Sequence, residues 1–254
     1  MVMSQTLRKM SKNFIIVGTP RSGTTFVCDV LNGFDDIWIP KYPNYEPFNP
    51  NVLKKVSLTA KHNAFDHDTI VKKFIGHKSN KGAEYFGFKT FLSFHSNLRE
   101  LIKDNDLDVI ILLRKDIWKV IGSMMIAIDN NDYIGSSKKY QPYIFEKTSR
   151  EKRRILTFFN QTCRVYWELE NTFSKDLNIL DKFYFEDLIE NNRRPSIESY
   201  FEREIVFDHK YDNNDDISKY ISNFQEMKDF ILEEVSQYQQ HYSALPDYIS
   251  QHLK

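Results

Sequence analysis

Phe14-Ile15-Ile16-Val17-Gly18-Thr19-Pro20-Arg21-Ser22-Gly23-Thr24-Thr25-Phe26-Val27 decides the fold. A β-branched apolar run enters a small-residue turn, and an amphipathic segment follows. That order predicts a strand over 13–17, a tight loop and a helix over about 23–32, with backbone N–H groups aimed at an anion. The spacing Gly18-x4-Gly23-Thr24-Thr25 is that of a phosphate loop except at one position. Where a nucleotide triphosphatase carries lysine, this chain has Thr24.

The missing lysine bears on chemistry. In a nucleotide triphosphatase that side chain reaches the β- and γ-phosphates, and the next hydroxyl holds Mg²⁺. Here the cradle remains: Pro20 shapes the turn, and N–H groups from Ser22 to Phe26 join the hydroxyls of Ser22, Thr24 and Thr25. Arg21 supplies a cation from the lip. Such a site suits a nucleotide 5′-phosphate whose transferred group carries less charge than a phosphoryl. A sulfuryl group is that species, and its transfer does not obviously require a metal.

Working outward, 254 residues with 41% hydrophobic and 15% aromatic content are enough for one α/β domain with a buried core. The expectation is a single domain over 1–254, with a core at about 13–190 and a C-terminal helical extension at about 195–254. Net charge is zero, which gives no general pull toward nucleic acid or membrane. Charge is uneven, with eight lysines between Lys54 and Lys89 against Asp66, Asp68 and Glu84. Only Cys28 and Cys163 are present, so free buried thiols are expected. With no signal-like segment and no apolar run of membrane-spanning length, the expected setting is the cytoplasm. His62, His67 and His77 lack ligand spacing, so no metal is expected.

Further along, Pro40, Pro43, Pro47 and Pro50 predict an extended loop, and a lysine-rich, partly helical stretch runs to Ile75. Glu84–Thr90 reads as a short strand entering a loop, and about 96–103 as a helix. Asp108–Leu113, a continuous apolar run, predicts a central parallel strand. Asp116 is placed to cap the next helix, with Ile117, Ile121, Met124 and Ile128 on one face. About 146–173 reads as a long helix, Leu177–Phe185 as a strand, 196–202 as a helix opened by Pro195, 209–216 as a loop and 217–242 as a terminal helix. Strands alternating with helices predict an α/β, P-loop-like three-layer fold, a central parallel sheet flanked by helices.

Parallel sheets bind ligands beyond the carboxyl ends of their strands. One such end is Gly18–Thr25. The other is Leu113-Arg114-Lys115-Asp116, with Ser123 about two turns into the following helix. Arg114 emerges where a guanidinium can grip a phosphate with two hydrogen bonds.

Thr-Pro-Arg-Ser-Gly-Thr-Thr at 19–25 resembles the 5′-phosphosulfate loop of sulfotransferases that use 3′-phosphoadenosine 5′-phosphosulfate (PAPS). The likeness is to the bacterial trehalose- and glycolipid-type branch, where arginine precedes Ser-Gly-Thr-Thr. The resemblance implies that Arg114 and Ser123 bind the donor's 3′-phosphate, with Lys115 a rival because the commoner family spacing is one residue shorter. It implies PAPS as co-substrate and a carbohydrate or glycolipid acceptor. Phe183-Tyr184-Phe185-Glu186-Asp187-Leu188 resembles the family's Tyr-Glu-Asp-Leu strand end, with Phe185 where tyrosine is usual, and reads as support near the donor site. The family's Arg-Lys-Gly segment is missing.

Transfer to a hydroxyl needs a base. Lys89-Thr90 is followed by Phe91 rather than the histidine of the cytosolic branch. In the trehalose-type branch the base is a loop glutamate, and Glu46 in Glu46-Pro47-Phe48 matches it. Held among Tyr42, Tyr45 and Phe48, that carboxyl would be desolvated and its pKa raised. His95 is the second candidate, and Lys89 is a cation for the departing sulfonate or the acceptor. A P-loop kinase drawing its cation from Arg21, and a non-catalytic nucleotide-binding module, remain as rival functions.

Overall fold

In the computed structural model, residues 12–40, 83–94, 97–131, 141–208 and 217–237 are described. Among these residues five strands, β1 (Lys12–Gly18), β2 (Ile37–Trp38), β3 (Tyr85–Phe91), β4 (Asp108–Leu113) and β5 (Ile179–Tyr184), form one sheet in the order β2-β3-β1-β4-β5. Every pairing is parallel. The helices among the described residues are α1 (Thr24–Leu31), α2 (Leu98–Asp104), α3 (Ile117–Asp129), α4 (Ser149–Asn171), α5 (Phe185–Asn191), α6 (Pro195–Phe201) and α7 (Phe224–Gln237).

Side-chain alternation along the strands builds two cores. Ile15, Val17, Phe86, Phe88, Val109 and Ile111 pack against Leu98 and Ile102 of α2 and Val165, Tyr166 and Leu169 of α4. On the opposite face Phe14, Ile16, Ile110 and Leu112 meet Val27 and Leu31 of α1, Leu188 of α5, and Ile197 and Phe201 of α6. β1 and β4 are buried on both faces, which is why Phe14–Val17 and Val109–Leu113 are continuously apolar. The expected α/β three-layer arrangement is the one observed. A third cluster joins Ile117, Ile121 and Met125 of α3 to Phe159 and Cys163 of α4 and Met227 and Ile231 of α7. Cys28 and Cys163 are buried free thiols.

Three elements differ from expectation. Segment 84–90, expected to run from strand into loop, stays in strand through Phe91, all of 85–91 buried, because β3 lies between β1 and β2. Phe185 opens α5 instead of ending β5. The terminal helix begins at Phe224 rather than Ile217, which opens a 3₁₀ turn at Ile217–Lys219. The intervening backbone has other partners: Tyr143 N–H donates to the Tyr220 carbonyl at 2.8 Å and Ser222 N–H to the Tyr143 carbonyl at 3.0 Å. The Asn223 side-chain amide accepts from Phe145 N–H through Oδ1 and donates to the Phe145 carbonyl through Nδ2, at 2.8 Å each. Groups already bonded across the chain cannot also close helical turns.

Among the described residues no helix is long and apolar enough to cross a membrane.

Candidate functional site

β1 and β4 are neighbours, and the chain leaves them in opposite directions along the sheet, toward β2 and toward β5. The crevice beyond their carboxyl ends is where such sheets hold ligands. Gly18 ends β1 opposite Leu112, and a Cβ there would lie 2.6 Å from the Leu112 carbonyl oxygen and 2.7 Å from Ser22 Oγ. Only glycine fits. Ser22 N–H and Oγ both donate to the Thr19 carbonyl, at 3.2 and 2.7 Å, which closes the turn. Those two donors therefore brace the loop and do not face a ligand, unlike the sequence-based expectation. Arg21 and Gly23 have positive φ, 70° and 91°. Helix α1 starts at Thr24, so N–H groups at its start precede any intrahelical acceptor and are available to an anion.

The expected cations assemble around this loop. Arg21 Nε donates to Ser123 Oγ at 2.5 Å, and Arg114 Nη1 donates to the Arg21 carbonyl at 3.3 Å. Lys89, buried near the end of β3, donates through Nζ to Thr25 Oγ1 at 2.8 Å. Three stretches far apart in sequence thus converge: loop 19–25, Lys89, and 114–123 with Arg114 and Ser123. Pro20 lies within the same turn. Lys115, the rival to Arg114, pairs with Asp187. Glu46 and His95 lie outside the described residues, as do Tyr42, Tyr45, Phe48 and the lysine-rich stretch.

Asp116 caps α3 as expected, one carboxylate oxygen accepting from Trp118 N–H at 3.0 Å and Lys119 N–H at 3.2 Å. Of the expected apolar face of α3, Ile117 and Ile121 are buried, while Met124 and Ile128 are half-buried at its margin.

Phe185 supports both halves of the site. Its ring lies against Gly23, and the Arg114 guanidinium sits over it, 5.1 Å from the centroid. One further support, Tyr166, was not anticipated; another, Glu186, belongs to the 183–188 segment expected to support the donor site. Tyr166 Oη accepts from Arg114 N–H at 3.1 Å, and burial pushes its phenol pKa well up, keeping it neutral. Glu186 Oε2 accepts from Lys115 N–H at 2.9 Å. Tyr166 carried no sequence signal beyond its helical spacing from Phe159 and Cys163. For Glu186 the supporting role was legible in the sequence, but its partner, the Lys115 N–H, was not. Among the described residues no group of three histidine, cysteine or acidic side chains is placed to hold a metal ion.

No protein-family model matches the sequence, and no curated protein matches it. Among solved structures the chain is similar to a sulfotransferase from Alicyclobacillus acidocaldarius, with a TM-score of 0.50, 15% identity, and coverage of 90% of this chain and 94% of that one. The fold is sulfotransferase-like. At that identity the likeness is one of architecture, and the chemistry has to be argued from the side chains.

Proposed function

We propose that this chain is a sulfotransferase that moves a sulfuryl group from PAPS to an acceptor hydroxyl, with a carbohydrate or glycolipid as the acceptor class. The observation that carries the proposal is the contact between Arg114 and the Arg21 carbonyl, 93 residues apart in sequence, beside a phosphate loop that lacks its lysine. A site with cations at two neighbouring strand ends suits a ligand with phosphates at two ends. In this proposal the 5′-phosphosulfate lies on the loop 20–25, with Arg21 and Lys89 countering its charge. The 3′-phosphate lies on Arg114 and Ser123.

The acceptor oxygen attacks sulfur, its proton passes to Glu46, and the sulfur–oxygen bond to the 5′-phosphate breaks. 3′,5′-Adenosine bisphosphate leaves with the electron pair of that bond. Charge growing on the leaving phosphate is met by Arg21 and the N–H groups at the start of α1, donors fixed before the reaction begins. His95 is the second candidate base. The proposal needs no metal and treats residues 1–254 as one domain working in the cytoplasm.

Calorimetric titration with 3′,5′-adenosine bisphosphate and, separately, ATP, both without metal, tests this. The proposal expects the bisphosphate to bind and ATP to bind much more weakly, with sulfate transfer from PAPS to a glycan panel. Mg²⁺-dependent ATP turnover with no response to PAPS would instead establish a kinase. Bisphosphate binding without transfer to any acceptor would point to a non-catalytic nucleotide-binding module.

A further inference from the structure

Two adjacent cations leave β4, and the fold treats them differently. Arg114 is held against the loop by three contacts: Nη1 to the Arg21 carbonyl, the guanidinium over Phe185, and Nε at 3.4 Å from Glu186 Oε1. Both Nε and Oε1 are sealed from solvent, and they form an ion pair without a hydrogen bond. Lys115 is paired instead with the next acid, its Nζ on Asp187. The Lys115 side chain is 52% exposed, against 21% for Arg114. Glu186 and Asp187 are consecutive in the first turn of α5, so one helix start supplies both counter-charges.

We infer that Glu186 and Asp187 sort these cations, Glu186 keeping Arg114 against the loop and Asp187 holding Lys115, so that Arg114 rather than Lys115 joins Ser123 in reading the nucleotide's second phosphate. The inference rests on the function proposed above and assigns specificity within that site. Its chemistry follows from the two side chains. A planar guanidinium matches two phosphate oxygens at once, whereas an ammonium is a point charge that accepts any anion from any direction. Leaving Lys115 free beside Arg114 would strengthen anion binding generally and weaken the distinction between a 3′-phosphate and a 3′-hydroxyl. The Asp187 hydrogen bond also raises the Lys115 pKa, so that ion pair persists across neutral pH.

The test compares affinities for 3′,5′-adenosine bisphosphate and adenosine 5′-monophosphate, whose ratio reports the 3′-phosphate alone. Calorimetry is run on the full chain and on Arg114→Ala, Arg114→Ala/Asp187→Asn, Arg114→Ala/Asp187→Glu and Arg114→Ala/Asp187→Asn/Lys115→Ala. Arg114→Ala is expected to lower the ratio at least about tenfold, the scale of a lost charged hydrogen bond. Adding Asp187→Asn frees Lys115 and restores about threefold, limited by the small strength of a half-exposed ion pair. The restoration disappears when Lys115 is also removed, and Asp187→Glu, which keeps the pair, restores nothing. A loss of folding would lower both affinities together and leave the ratio unmoved.

Two results overturn the inference while leaving the proposed function standing. One is no restoration by Asp187→Asn, and the other is a single Lys115→Ala that costs as much of the ratio as Arg114→Ala. A wild-type ratio near one overturns both the inference and the proposed 3′-phosphate site.

Discussion

Replacing Gly23 with alanine tests how the loop is held. Gly23 sits at φ 91°, and a Cβ added there would lie 2.5 Å from Phe185 Cε2 and 3.0 Å from Cγ. Two costs follow. A left-handed backbone costs an L-residue about 1–2 kcal/mol. Forcing a methyl group into a packed ring costs about 1–3 kcal/mol more. Gly23→Ala should therefore destabilise the chain by about 2–5 kcal/mol, read as a lower urea midpoint at unchanged slope.

The two costs separate in a double-mutant cycle. Phe185→Leu removes the ring edge that the new methyl group meets, but it also loses the edge-to-face contact with Phe26, 5.8 Å between centroids, and the ring beneath Arg114. The single substitution is therefore harmful, and the coupling is the informative quantity. In the Gly23→Ala background Phe185→Leu should cost less than it does alone, by the overpacking share of about 1–3 kcal/mol. The backbone share should persist. A Gly23→Ala penalty below about 1 kcal/mol, or a coupling of zero, would refute the claim that Phe185 locks the loop.

Three further outcomes are expected. Burial raises the Cys163 pKa to about 12 and pushes Tyr143, Tyr166, Tyr184 and Tyr200 up as well. The folded chain thus holds protons that the unfolded chain releases, so stability should be intact below pH 9.0 and decline as pH rises from there toward about 12. A urea midpoint that stays level through that window contradicts the burial of these groups. Asp116→Ala removes the acceptor of two N–H groups at the start of α3 and should cost about 1 kcal/mol, a Tm drop of about 2–4 °C by calorimetry. Glu46→Gln should lower sulfate transfer at least about 100-fold while leaving 3′,5′-adenosine bisphosphate affinity intact. If Glu46→Gln and His95→Ala both transfer at the wild-type rate, neither residue is the base.

The local elements were legible because their causes are local. Phe14–Val17 and Asp108–Leu113 are apolar without interruption, and such runs belong in the interior of a parallel sheet wherever they occur. Gly18 and Gly23 mark a turn that few other residues allow, Asp116 carries its own capping chemistry, and Pro195 opens α6 as the first helical residue. Phe224 as the true start of α7 was not legible, since the backbone of Tyr220 and Ser222 bonds to Tyr143, and the Asn223 side chain to Phe145, on a distant segment.

What the linear order could not settle is which groups meet. Sequence alone determined that a phosphate-type loop lacking lysine follows a buried strand, and that a basic pair follows another. The order β2-β3-β1-β4-β5 then decided that the two strand ends are neighbours and that Lys89, from β3, reaches Thr25 across the sheet. It also decided between two adjacent cations that look alike in sequence. Arg114 meets the loop and Lys115 meets Asp187, because the chain's return through α5 places its acids beside them. Period and composition encode the surroundings a segment wants, whereas a contact between residues a hundred apart depends on strand order and register, which no single segment contains.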